Sequence, residues 1–229
     1  MWKRTCKALS ASGRVDPEWF ARKGRMFTGY EIKEGDKLVA LRENGFRSNG
    51  LSLVRKIMNK TYGHNWHEQK YDDKSLAELA LHPSKIYTAA LVDMFGGFSG
   101  EPKTEIHGVV HITGGGVPGK LTRALKPTKL GAYLSDIFEP SSLMLYCQDK
   151  GNVSDEEAYK TWNMGQGMIV IAPKPDEVIS IATKYGIESK IVGEVVGSPG
   201  ISIRNRGLRQ DKQYLRFSWV YSRRHYFLE

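Results

Sequence analysis

Cysteine is scarce in this chain. Cys6 and Cys147 are the two present, and they stand far apart with no C-x-x-C pair. That argues against a disulfide framework and against a cysteine-built zinc site, and it suits a reducing compartment. A long apolar run is also missing, so nothing in the sequence would span a bilayer. The start, Met1-Trp2-Lys3-Arg4, is basic, but no apolar core follows it, so no secretory signal is expected. The reading is a cytoplasmic chain with no membrane partner. There is no internal repeat and no low-complexity tract.

What is present is enough for a folded domain. The chain has 229 residues, 40% of them hydrophobic, which supports one large domain or one domain with appendages and excludes a disordered chain. Lysine and arginine number 34 against 25 acidic residues, a net charge of +9. That surplus favours anionic partners (nucleotides, phosphorylated metabolites, nucleic acid or acidic lipid) without choosing among them.

Strand and helix signals alternate along the chain. Leu38-Val39-Ala40-Leu41 reads as a strand between Gly35-Asp36 and Asn44-Gly45. Gly50 to Tyr62 reads as a helix, with Leu51, Val54, Ile57 and Met58 at helical spacing and Gly63 as its stop. Short helices are expected from Ser75 to Leu81, halted before Pro83, and from Ile86 to Phe95. Ile106 to Thr113 is β-branched and alternating, a strand broken by Gly114-Gly115-Gly116, and Lys120 to Leu125 begins a helix. Ser154 with Glu157 forms a capping-box signature for a helix reaching about Trp162. Gly167 to Ala172 is a strand, Pro175 to Tyr185 a helix, and Ile191 to Val196 a strand. The fold class is therefore α+β, an α/β-layered domain. Residues 1–30 read as an arm or lead-in and 31–200 as the domain. Residues 201–229 form a basic and aromatic tail, in which Leu215, Phe217, Trp219 and Tyr221 alternate as in an added strand with one buried face.

Three strand–helix junctions carry chemistry. In His111-Ile112-Thr113-Gly114-Gly115-Gly116-Val117-Pro118-Gly119-Lys120, glycines let backbone N–H groups turn toward one point, and the helix start adds partial positive charge. This suits a phosphate. The spacing approaches G-x-x-x-x-G-K-[ST], but Leu121 cannot ligate magnesium. A tight turn without ligand is the plain alternative. The second junction is Asn44-Gly45-Phe46-Arg47-Ser48-Asn49-Gly50. Ser48 or Asn49 either caps the helix or, with Arg47, faces a bound anion. The third is Trp162-Asn163-Met164-Gly165-Gln166-Gly167-Met168, where the glycines suggest close backbone approach. Asn163 either binds a ligand or satisfies the turn, and the methionines read as core. His111 either faces the glycine turn or is an ordinary strand histidine. His64 and His67 read as a solvated loop.

Taken in order, these segments resemble the carboxy-terminal half of AIR synthase, the phosphoribosylformylglycinamidine cyclo-ligase family. The family pattern G-L-H-S-N-G-[FY]-S-L-V-R-K corresponds to Gly45 through Lys56, and L-x-P-T-[RK]-I-Y to Leu81 through Tyr87. A-H-I-T-G-G-G corresponds to Val110 through Gly116, with Arg123 at the arginine of N-I-P-R. R-T-F-N-M-G-I-G-M corresponds to Lys160 through Met168, and I-G-x-V to Val192 through Val195. The resemblance covers about Lys33 to Val196. It implies a mixed β-sheet flanked by helices and an ATP-dependent cyclisation of formylglycinamidine ribonucleotide to aminoimidazole ribonucleotide. By the same resemblance, Arg47, Ser48, Asn49, His111, Thr113, Gly114, Gly115, Gly116, Lys120 and Asn163 are expected to line a site for a phosphoribosyl purine precursor. Two departures stand out, both adding positive charge: Arg47 replaces the family's histidine and Lys120 its asparagine. The family's amino-terminal half, which holds Mg-ATP, has no counterpart here, so either a separate polypeptide supplies it or the chain is a truncated or divergent relative. A non-catalytic phosphate- or nucleotide-binding module of the same fold is the alternative. A nucleic-acid binder using the basic tail is the weaker one, because the tail's alternation already accounts for its aromatics.

Overall fold

The computed structural model describes residues 27–71, 73–97 and 100–218. Its centre is a seven-stranded mixed sheet. Strand β1 (Lys37–Arg42) lies in the middle, with β6 (Gln166–Ala172) on one side and β7 (Ser189–Val196) on the other. Beyond β6 comes β4 (Gly108–His111) at the edge. Beyond β7 come β5 (Gly131–Leu134), β8 (Gly200–Arg204) and β9 (Tyr214–Phe217). All neighbours run antiparallel except β5 and β8, which pair in parallel. A small hairpin of β2 (Lys70–Tyr71) and β3 (Lys74–Ser75) stands apart.

Why β1 and β6 are apolar without alternation is explained by their position. Both faces of the sheet are covered there, so successive side chains must all enter a core. Leu38 and Ala40 join one apolar cluster and Val39 and Leu41 the other; every residue of β6 is buried. The larger cluster packs under α1 (Leu51–Tyr62), α2 (Leu76–Ala80), α4 (Gly116–Leu125), α5 (Ser142–Gly151) and α6 (Asp155–Thr161). The smaller lies under α3 (Thr88–Phe95) and α7 (Pro175–Lys184), through Ala90, Met94, Val178, Ile181 and Ala182. Each fully buried Leu, Ile or Met contributes about 1.5–3 kcal/mol of transfer free energy. Among the described residues, no helix is long and apolar enough to cross a membrane.

Several boundaries differ from the sequence reading. Helix α4 begins at Gly116, not Lys120, because Gly115 takes a left-handed conformation (φ 95) and opens the helix itself. The preceding strand is only Gly108–His111. Neither Ser48 nor Asn49 caps α1; its cap is Gly50 (φ 70), with no side-chain hydrogen bond. The full capping box is found at Ser75 and Glu78, ahead of α2. At Ser154 the hydroxyl half forms, accepting from the Glu157 amide. Strand β5 is too short to show a period, and α5 buries Leu143, Met144, Cys147 and Gln148 at helical spacing, but a glutamine on that face and Leu145 and Tyr146 beside it blur the apolar contrast. The tail alternation is partly visible: Leu215 is buried in β9, while Trp219 and Tyr221 lie outside the described residues.

Candidate functional site

Antiparallel register decides where the three junctions meet. Arg42, at the end of β1, pairs with Gln166 at the start of β6, and His111, at the end of β4, pairs with Met168 two residues on. The ends of β1 and β4 therefore flank the start of β6. One leads into α1 and the other into α4, so both helix starts open at the same end of the sheet.

Trp162 is the floor beneath them. It is fully buried and packs edge-on against Phe46 at 5.4 Å. A Cβ placed on Gly50 would lie 2.5 Å from Trp162 Nε1, and one on Gly116 would lie 3.1 Å from the Trp162 carbonyl and 1.8 Å from that of Tyr159. Glycine at both positions lets the helix starts settle this closely. Above the floor the loops touch: Asn49 Oδ1 lies 4.0 Å from where a Gly114 side chain would begin. Neither helix has a side-chain cap or an acidic residue in its first turn. The partial positive charge of each start is thus left uncompensated by the chain's own side chains.

The predicted residues fall into distinct groups. Ser48, Gly114 and Gly115 are exposed, and Asn49 and Thr113 are half-buried beside them. Asn163 is brought to the same end, but its side chain is spent on backbone. Its Nδ2 donates to the Gly45 carbonyl at 2.8 Å and its Oδ1 accepts from the Gly165 amide at 2.9 Å. It therefore satisfies its turn and fastens the Arg47 loop to β6. Lys120 sits in the second turn of α4, facing a groove of about 330 Å³ with His111, Arg123, Thr28 and Gly29. Because Gly116 to Lys120 is already helix, the segment does not wrap a phosphate as a P-loop would.

Arg47 departs most from expectation. Its backbone is left-handed (φ 60), and its side chain is only 11% exposed. The guanidinium turns inward. Nη1 donates to the Gly167 carbonyl at 3.0 Å, Nε lies 3.7 Å from Glu43 Oε2, and Nη2 is bonded to His111 Nε2. The Tyr87 ring lies beneath it at 5.7 Å. Glu43 is fully buried. Its carboxylate accepts from the Asn44 and Lys85 amides, and the Tyr87 hydroxyl shares its one hydrogen between the Arg42 carbonyl at 2.9 Å and Glu43 Oε2 at 3.2 Å. Burial, then the Glu43 charge, raises the Tyr87 phenol well above its ordinary value. Burial, then Arg47 and Lys120, holds His111 below its ordinary value. Glu43 and Tyr87 were not picked out as site residues in the sequence. A glutamate just past an apolar strand reads as solvated, and only the fold turns it under the loop.

Comparison with known proteins shows the family to which the chain belongs. Residues 33–205 match the family described as AIR synthase related protein, C-terminal domain. Phosphoribosylformylglycinamidine cyclo-ligase of Methanopyrus kandleri is 34% identical over 201 residues, covering 87% of this chain and 53% of that protein. The enzyme of the same name from Methanocaldococcus jannaschii is 37% identical over 179 residues, 77% of this chain and 49% of that one. The chain thus spans about half the length of the curated relatives it matches. Among solved structures, E. coli HypE, a hydrogenase maturation protein, superposes with a TM-score of 0.50 at 14% identity. The superposition covers 85% of this chain and 52% of that one, a likeness of fold.

Proposed function

Since the chain belongs to the AIR synthase related family through its carboxy-terminal domain, we propose that it serves purine biosynthesis as the carboxy-terminal half of an AIR synthase. In this reading residues 31–200 are the family domain, 201–229 add to its sheet, and the protein works in the cytoplasm. Its own task is to hold the phosphate of formylglycinamidine ribonucleotide. The observation that carries this is the pair of uncapped helix starts meeting across Asn49 and Gly114. Each contributes about 0.3–1 kcal/mol toward an anion, and more when partly buried.

The cyclisation needs ATP, which activates the formyl oxygen so that phosphate can leave. Among the described residues no three His, Cys, Asp or Glu side chains converge to hold a metal ion. Magnesium carried on ATP needs only one or two carboxylates beside the phosphates, and in this reading Mg-ATP is held by the family's amino-terminal half. What this chain does is bind and orient: glycine amides at Gly114 and Gly115 and the Asn49 side chain grip the anion. Catalysis of phosphoryl transfer depends largely on such positioning.

The test is to titrate the purified chain with formylglycinamidine ribonucleotide, and to assay ATP-dependent conversion with and without an amino-terminal half taken from a relative. We expect binding by the chain alone and turnover only after the second half is added. Asn49→Ala should weaken binding roughly tenfold, the worth of one hydrogen bond to a charged group. Turnover by the chain alone would overturn the dependence on a partner. Failure to bind would overturn the phosphate site, and binding without turnover in the reconstituted pair would leave a non-catalytic module.

A further inference from the structure

We infer that Arg47 serves this site through His111 rather than by gripping the anion, fixing the imidazole in one tautomer, with its proton on Nδ1 and Nε2 accepting from the guanidinium. The inference deepens the phosphate-site reading and rests on it for its functional meaning, while the tautomer stands on geometry alone.

An arginine in a protein does not give up its proton, and none of its nitrogens accepts a hydrogen bond. The contact between Arg47 Nη2 and His111 Nε2 therefore has one possible direction: arginine donates and Nε2 carries the lone pair. Imidazole in water favours the other tautomer, with hydrogen on Nε2. A fixed donor is needed to reverse it, since the tautomer follows the hydrogen bond made by the ring. Arg47 is fixed. Its Nη1 is anchored on Gly167, its Nε faces the buried Glu43, and its plane lies over Tyr87. Glu43 is itself held by two backbone amides and the Tyr87 hydroxyl. The chain of support runs from β1 through Glu43 to Arg47 and ends on His111.

The charged groups acting on His111 are Arg47 from the β1–α1 loop, Lys120 from α4 and, with opposite sign, Glu43; Arg123 of α4 lines the same groove. Strand β6 presents the uncharged Met168 as its cross-strand partner. Partial enclosure of the ring, although the residue is exposed at the surface, and two cations against one carboxylate oppose a third positive charge and lower its pKa. With Nε2 accepting from Arg47, the nitrogen left to donate is Nδ1. Arg47 is a positioning residue, and its unusual left-handed backbone places its head on His111.

The experiment is long-range ¹H–¹⁵N correlation NMR on the full chain labelled at histidine, free of ligand, with His111 assigned by its loss in His111→Gln. We expect the His111 Nε2 resonance at the position of an unprotonated, hydrogen-bonded nitrogen and Nδ1 at that of a protonated one. In Arg47→Met, which has no donor, the proton should move to Nε2, and the titration midpoint should rise toward about 6.5. Lys120→Ala should raise the midpoint while leaving the tautomer unchanged. A wild-type ring with hydrogen on Nε2 would overturn the inference, whether or not Arg47→Met folds. So would a tautomer that switches in Lys120→Ala. Titrating the same sample with inorganic sulfate and following the Gly114 and Gly115 amides tests the anion site separately, so failure of one reading is distinguishable from failure of the other.

Discussion

Gly116 leaves no room for a side chain. A Cβ there would sit 1.8 Å from the Tyr159 carbonyl oxygen, and the backbone has φ +58. Three residues on, Gly119 lies within the same helix, and a methyl group added there would have nothing within 4 Å of it. The two substitutions to alanine should have opposite signs. Gly116→Ala must push α4 off α6 or break the turn, and should cost about 2–4 kcal/mol. Gly119→Ala should gain about 0.5–1 kcal/mol by helix propensity and reduced unfolded-state entropy. Urea denaturation of both variants checks this; equal shifts would mean that the close approach of α4 to α6 is not what demands glycine. Asn163 teaches the same lesson at this scale. Its motif marked it as important, and its contacts show it holding two backbone segments together.

Among the elements, α6 is tied to its surroundings through its first residue. The Asp155 carboxylate accepts from Gln148 on α5 at 2.8 Å, from Asn205 at 2.7 Å, and from the Arg209 and Gln210 amides at 3.3 and 2.8 Å. Burial alone would raise its pKa, but these bonds hold it below the ordinary carboxylate value. The segment between β8 and β9 is thereby folded onto α5 and α6. In Asp155→Asn one oxygen becomes an N–H₂ facing donors, which should cost about 3 kcal/mol. Amide exchange at Arg209 and Gln210 should quicken more than exchange in β1 and β6. A uniform rise across the whole chain would show instead that Asp155 supports global stability alone and not this connection.

For the molecule as a whole, two histidines set opposing pH slopes. His107 is pushed down by burial, but hydrogen bonds with Asp36 at 2.7 Å and Glu105 at 2.9 Å outweigh this and leave its pKa raised. The stability it contributes is complete below its unfolded value of about 6.5 and is lost as the pH rises through the folded value. His111 is the reverse case. With its pKa lowered in the fold, it costs stability as the pH falls below about 6.5. The two windows lie on opposite sides of that value, so the contribution of this pair should peak at about 6.5. His107→Gln should remove the fall above the peak and keep the rise below it, and His111→Gln should do the reverse. Urea midpoints measured from mildly acid to mildly alkaline pH decide it, and parallel profiles in the two variants would refute the assignment.

The sequence by itself determined the layered fold class, the central strands β1 and β6, the helix α1, and the three glycine-bearing junctions. Each of these is written in local terms: apolar runs, a helical period, residues that permit turns. It also determined the family, through motifs kept in order along the chain. Tertiary structure alone decided the rest. Strand β5 is held by its neighbours, and packing chose the face of α5 on which Gln148 is buried with Leu143, Met144 and Cys147. Register along β6 brought two distant junctions to one place. Burial turned Glu43 from a surface charge into an anchor, and Arg47 from an expected anion ligand into a partner of His111. Local pattern sets which conformation a segment prefers, whereas long-range pairing sets which side chains meet. The chemistry of this site lies in those meetings.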